Sequence, residues 1–157
     1  MQIITKSILI LSLLLTMGCG FKVLDKSNVN NFTIKEISAN GNNRINYKIK
    51  NYLLSNTQKN NTNVLTINIK TKITKEIQEK NIKNEITKYK IDISASVIFN
   101  KVGATSKKSF TVSRSSVYDT ATQYSQTLNN EKREIEMLTD EITQDIFDKL
   151  IKEVNDL

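Results

Sequence analysis

The feature that most constrains this chain is a change of hydrophobic period along it. From Leu65 onward the apolar residues fall on every second position. Leu65, Ile67, Ile69 and Ile73 share one parity with Thr71, and Thr66, Asn68, Lys70 and Lys72 take the other. Tyr89, Ile91, Ile93, Ala95, Val97 and Phe99 repeat the pattern against Lys90, Asp92, Ser94 and Ser96. Successive side chains of a strand point to opposite faces, so both segments predict strands with one buried and one solvated face. Such clean alternation fits an antiparallel meander better than a parallel sheet covered on both sides. Elsewhere the period is helical. Ile45, Ile49, Tyr52 and Leu53 line one face of a helix over residues 43–56. Tyr124, Leu128, Ile135, Leu138, Ile142, Ile146 and Leu150 recur at helical spacing with no Gly or Pro between them. This predicts a helix over residues 125–154, ~45 Å long at 1.5 Å per residue. That exceeds what a small sheet needs, so an overhanging or frayed end is expected.

Shorter signals complete the order. Phe32 and Ile34 alternate with Thr33 and Lys35, as in a short first strand, and Asn40-Gly41-Asn42-Asn43 is a turn signal. Between the two long strands the apolar phase slips, since Ile77 is odd and Ile82 and Ile86 are even. A hairpin connection centred on residues 78–84 explains the slip; a short helical turn is the alternative. Val102-Gly103-Ala104 marks a second connection, and Ser109 to Ser116 reads as the last strand with Phe110 and Val112 inward. The expected fold is α+β in the order β-α-β-β-β-α. It has a four-stranded, mainly antiparallel sheet with two helices packed on one face, forming a single domain over residues 32–157.

The first residues read as an address. Lys6 precedes an apolar run from Ile8 to Leu15, and Gly18 stands directly before Cys19. This is the layout of an export signal. The uncharged stretch from Ser7 to Phe21 is shorter than the ~20 apolar residues of a spanning helix. A cysteine placed directly after Gly18 points to a bacterial lipoprotein, cleaved before Cys19 and acylated on its sulfur. Thr16 stands where the usual lipoprotein box prefers Leu. A plain signal peptide with an incidental cysteine is the alternative, but it would leave a lone thiol in an oxidising compartment. Each buried lipid CH₂ contributes about 0.8 kcal/mol, so several acyl chains anchor a protein stably. Residues 1–18 are therefore expected to be a lipoprotein signal peptide and residues 19–31 a lipidated tether. Lipoproteins with no Asp after the cysteine, here Gly20, usually continue to the outer membrane.

Composition narrows the function classes. The chain has no histidine and one cysteine, which excludes a Ser-His-Asp or Cys-His catalytic site and any multi-cysteine metal site. The expectation is a protein that is not an enzyme and needs neither metal nor cofactor. Charge is unevenly spread. Residues 19–130 carry 18 basic and 7 acidic side chains, net +11, and residues 131–157 carry 4 and 9, net −5. Such asymmetry suggests a surface for an anionic partner. A genome-wide bias toward Lys, Asn and Ile accounts for it equally well. Nucleic acid is not the expected anion, because the export signal argues against it and aromatic–basic interleaving of the RNA-recognition type is missing.

Several local features coincide. The exported part opens Cys19-Gly20-Phe21-Lys22, and the first helix carries Arg44, Tyr47, Asn51 and Leu53. The third strand shows Tyr89, Ala95 and Phe99. The approach to the last helix reads Arg114-Ser115-Ser116-Val117-Tyr118, then Gln123-Tyr124-Ser125, then Glu131-Lys132-Arg133. Together these resemble the lipopolysaccharide-assembly lipoprotein (LptE) family, particularly its alphaproteobacterial members. Lys22-Val23-Leu24-Asp25 stands where that family often has Pro and Leu-Tyr, and the segment before the last helix is poorer in Ala.

The resemblance implies an outer-membrane lipoprotein held in the lumen of an LptD-like outer-membrane β-barrel. There it would act as plug and assembly partner and bind lipopolysaccharide, catalysing nothing. Lys70, Lys72, Lys88 and Lys90 on the solvent face of the strands, with Arg114, are the candidates for holding lipopolysaccharide phosphates. The bland reading is a solvated strand face on which Lys blocks edge pairing. Tyr118 and Tyr124 are candidate contacts to the barrel, or else core residues. Glu131 and Glu134 read as solubilising groups on an exposed helix face. The runner-up function is an auxiliary outer-membrane lipoprotein of another lipid transport system.

Overall fold

The computed structural model describes residues 32–58 and 61–155. The expected signal peptide, Cys19 and the tether lie outside the described residues. The order is β1 (Thr33–Asn40), α1 (Asn43–Ser55), β2 (Val64–Lys80), β3 (Ile86–Lys101), β4 (Lys108–Asp119) and α2 (Tyr124–Asn155). The sheet order is β1-β2-β3-β4. β2, β3 and β4 form the expected antiparallel meander. β1, however, lies parallel to β2, because α1 carries the chain back across the sheet before β2 begins. The sheet is thus mixed, and its first three elements form a β-α-β unit.

Turn chemistry fixes that unit. Gly41 has φ +105, and a Cβ there would lie 2.0 Å from the carbonyl oxygen of Thr71. Only glycine permits this close approach of the β1–α1 turn to β2. Asn42 then caps α1, its Oδ1 accepting from the N–H of Arg44 and of Ile45, each at 3.1 Å. Below the cap, the Thr71 hydroxyl donates to Asn46 Oδ1 at 2.8 Å and accepts from the Asn42 N–H at 3.0 Å. This buried polar node satisfies the groups it encloses.

The core is one sheet face roofed by both helices. Leu65, Ile67, Ile69, Ile91, Ile93, Ala95, Val97 and Phe99 face inward, and Ile45, Ile49 and Leu53 of α1 and Leu138, Ile142, Ile146 and Leu150 of α2 close over them. α2 is continuous for 32 residues, ~48 Å at 1.5 Å per residue. Val154 is still buried near its C-terminal end, whereas Tyr124 and Leu128 at its start are exposed. α1 and α2 run side by side in the same direction, joined by contacts that advance one turn at a time on both helices. Arg44 pairs with Glu136, Lys48 with Asp140 at 2.6 Å, and the Tyr52 hydroxyl donates to Gln144 at 2.5 Å.

The phase slip between β2 and β3 has a physical origin. Ile77 stands opposite Tyr89, but Glu79 opposes Lys88 and Lys80 opposes Ile86, with register shifts on either side of Glu79. The strands continue to Lys80, and Asn81 to Glu85 close the hairpin around Asn84 at φ 64. A bulge in β1 between Ile34 and Glu36 likewise turns Ile37 and Ala39 inward after Ile34. β4 extends from Lys108 to Asp119, beyond the expected 109–116.

Candidate functional site

The sheet presents two faces with different chemistry. On the open face Lys70 and Lys72 of β2 oppose Ser96 and Ser94 of β3, which in turn neighbour Thr111 and Ser113 of β4. The two ammonium groups leave the same strand two residues apart, ~7 Å along it. Among the described residues neither pairs with a carboxylate. Farther along the ribbon, Lys88 and Lys90 are already compensated: Lys88 pairs with Glu79 at 2.7 Å and Lys90 with Asp92 at 2.9 Å. Hydrogen bonding and charge from those carboxylates raise both lysine pKa values. The expected row of four cations is therefore two free ones and two held in ion pairs.

Arg114 does not join that row. It stands opposite Ile93 in β4, on the face the helices cover. Its guanidinium binds Asp145 of α2 at 2.7 and 3.0 Å through two nitrogens, with Glu141 at 3.9 Å. Strand parity explains the correction: Phe110, Val112, Arg114, Ser116 and Tyr118 share one side, so an arginine in this series must point toward α2.

Tyr118 also departs from the expected surface contact. It is 4% exposed, its ring stacks on Tyr89 at 5.7 Å, and its hydroxyl donates to Glu131 at 2.9 Å. Tyr124, at 75% exposure, remains open for a partner. Glu131 and Glu134 are not merely solubilising. Glu134 accepts from the Ser116 hydroxyl at 2.7 Å, and Glu131 binds Lys75 at 2.5 Å.

Lys75 was not among the sequence candidates, although the parity of Leu65 to Ile73 places it on the covered face. Its ammonium sits 4.2 Å from the centre of the Tyr89 ring and 5.5 Å from that of Tyr118. Burial opposes the Lys75 charge, but hydrogen bonds to Glu131 and Tyr118 outweigh it and push the pKa up to about 12. Burial likewise opposes the Glu131 carboxylate, and the bonds from Lys75 and Tyr118 overcome it and hold its pKa below the ordinary value. Burial first, then the Glu131 contact, raises the Tyr118 pKa. Beside this group a cavity of about 400 Å³ opens to solvent, walled by Ile86, Tyr89, Tyr124 and Leu128.

Part of the charge asymmetry of the sequence is compensated inside the fold. Besides Glu131, Glu136, Asp140 and Asp145, Glu153 of α2 binds Lys108 at 3.3 Å. Among the described residues, acids of α2 thus pair with five cations of the basic body, while Lys70 and Lys72 stay without a carboxylate on the open face.

No protein-family model and no curated protein matches the chain. Among the solved structures that share its fold are two lipoproteins. One is a Caulobacter crescentus CB15 protein assigned as a lipoprotein, 14% identical, covering 83% of this chain and 94% of that one with a TM-score of 0.54. The other is the rare lipoprotein B of Shewanella oneidensis, 12% identical, covering 77% of this chain and 94% of that one with a TM-score of 0.51. The α+β fold of this chain is one that lipoproteins use over nearly their whole length.

Proposed function

We propose that this protein is an outer-membrane lipoprotein, anchored through Cys19, that assists lipopolysaccharide assembly as plug and partner of an LptD-like β-barrel. The observation that carries the reading is the fold shared with the rare lipoprotein B over 94% of that chain. The Gly18-Cys19 junction and the sequence resemblance to the lipopolysaccharide-assembly lipoproteins support it independently. On this reading the free pair Lys70 and Lys72 meets lipid phosphates by charge, and exposed Tyr124 and Leu128 meet the barrel wall.

Purification of the tagged lipoprotein from detergent-solubilised envelopes tests the assignment. The expected product is a stable complex with one large outer-membrane β-barrel, and a Cys19→Ser variant is expected to lose acylation and its place in the membrane. Recovery with an inner-membrane ATPase system instead would replace this reading with that of an auxiliary lipoprotein for another lipid transporter.

A further inference from the structure

The open edges of the sheet are not alike. β1 shifts register between Ile34 and Glu36, and its first residue is tied down, the Thr33 hydroxyl donating to the Gln58 carbonyl at 2.7 Å and accepting from the Asn61 N–H at 3.0 Å. β2 beyond β1 is interrupted by the two shifts around Glu79. Bulges and covering loops are the usual means of blunting an edge. β4 has no bulge: it pairs one to one with β3 from Lys88 opposite Asp119 to Phe99 opposite Lys108.

The direction of its free backbone groups follows from the ladder. Thr120 continues the pairing, its N–H donating to the Thr87 carbonyl at 2.9 Å. Residues alternate between bonding toward the partner strand and away from it, so the even-numbered residues of β4 face β3 and the odd-numbered ones face outward. Helix α2 caps two of the outward carbonyls. Lys149 Nζ donates to Thr111 at 3.3 Å and Asn130 Nδ2 to Asp119 at 3.1 Å. Between these caps, among the described residues, nothing is seen to reach the outward N–H and C=O groups of Ser113, Ser115 and Val117. Above this window stands Glu141, half exposed and loosely held by Arg114 at 3.9 Å, because Asp145 takes the arginine's two-pronged contact.

We propose that β4 from Ser113 to Val117 accepts an extended segment of another protein chain as a fifth strand, with a basic side chain of that segment meeting Glu141. Main-chain bonds supply the affinity in such additions, and side chains the choice of partner. A second copy of this chain does not fit, since joining β4 to β4 would bring two acidic α2 flanks together. The inference rests on the proposed function only for where the partner is sought.

The test places a photocrosslinking residue at Ser113 of the full-length lipoprotein in intact cells, with Ser38 on β1 as the comparison position. One heterologous adduct from Ser113 and not from Ser38 is expected. Its yield should fall at least fivefold in Ser115→Pro, which removes an outward N–H and leaves the β3 ladder intact. It should also fall in Glu141→Lys, whose thermal midpoint shows whether the fold is retained. Absence of an adduct, an adduct to a second copy, or a yield unchanged in both variants overturns the proposal. Copurification with the barrel is scored in the same cells: if it persists without the adduct, the edge is wrong and the proposed function stands.

Discussion

The covered and the open face of the same sheet treat charge in opposite ways. On the covered face three cations are matched to acids of α2: Lys75 to Glu131, Lys108 to Glu153 and Arg114 to Asp145. On the open face Lys88 and Lys90 find carboxylates within the ribbon, and Lys70 and Lys72 do not. The difference teaches that net charge is a poor guide to a ligand surface here. The acidic helix compensates part of the basic body's charge, and only what is left over is available to a partner.

The largest expected effect comes from breaking the roof of the covered face. Leu138→Ala should lower stability by about 2–5 kcal/mol, as large-to-small core changes do, seen as a lower urea midpoint. An unchanged midpoint would remove α2 from the core. Next comes a paired glycine test. Gly41 and Gly103 both have positive φ, but a Cβ meets the Thr71 carbonyl only at Gly41 and nothing within 4 Å at Gly103. Gly103→Ala should cost about 1–2 kcal/mol from the left-handed backbone alone, and Gly41→Ala clearly more. Equal thermal shifts would show that the close approach to β2 is not what fixes α1.

A smaller effect sharpens the electrostatic side. Glu131 has a depressed pKa, so its pairing contributes stability above its ordinary value of 4.5 and loses it as pH falls through the folded value. Glu131→Gln should therefore destabilise at neutral pH, and the gap to wild type should close in acid as pH falls through the depressed pKa. The Lys75 contribution has the opposite sign: it is intact below 10.5 and lost as pH rises toward about 12. A gap independent of pH would mean that Glu131 acts by packing alone.

Much of this contrast was legible in the residues. The alternation in β2 and β3, the Ile45–Ile49–Leu53 stripe and the Leu138–Leu150 stripe each specify an element and its buried face without outside help. The parallel placement of β1 was not legible, because nothing in Phe32 to Asn40 says which neighbour it joins. Nor were the bulges, which break parity where the ladder needs an extra residue. The inward direction of Arg114 and Lys75 follows from strand parity, whereas charge by itself points to the solvated side. Their acidic partners sit far away in sequence, on a helix whose flanks only the fold defines. Cys19, the most specific single signal, lies outside the described residues.

The most direct test is lipopolysaccharide binding at low salt by Lys70→Gln/Lys72→Gln, set beside Arg114→Gln. A lysine near an anionic lipid surface contributes about 1 kcal/mol, so the double variant should lose roughly 30-fold in affinity with its thermal midpoint unchanged. Arg114→Gln should do the reverse, losing stability by under about 1 kcal/mol, as half-exposed ion pairs do, and keeping its affinity. Full affinity in the double variant, or its loss in Arg114→Gln, would contradict the division of labour between the two faces.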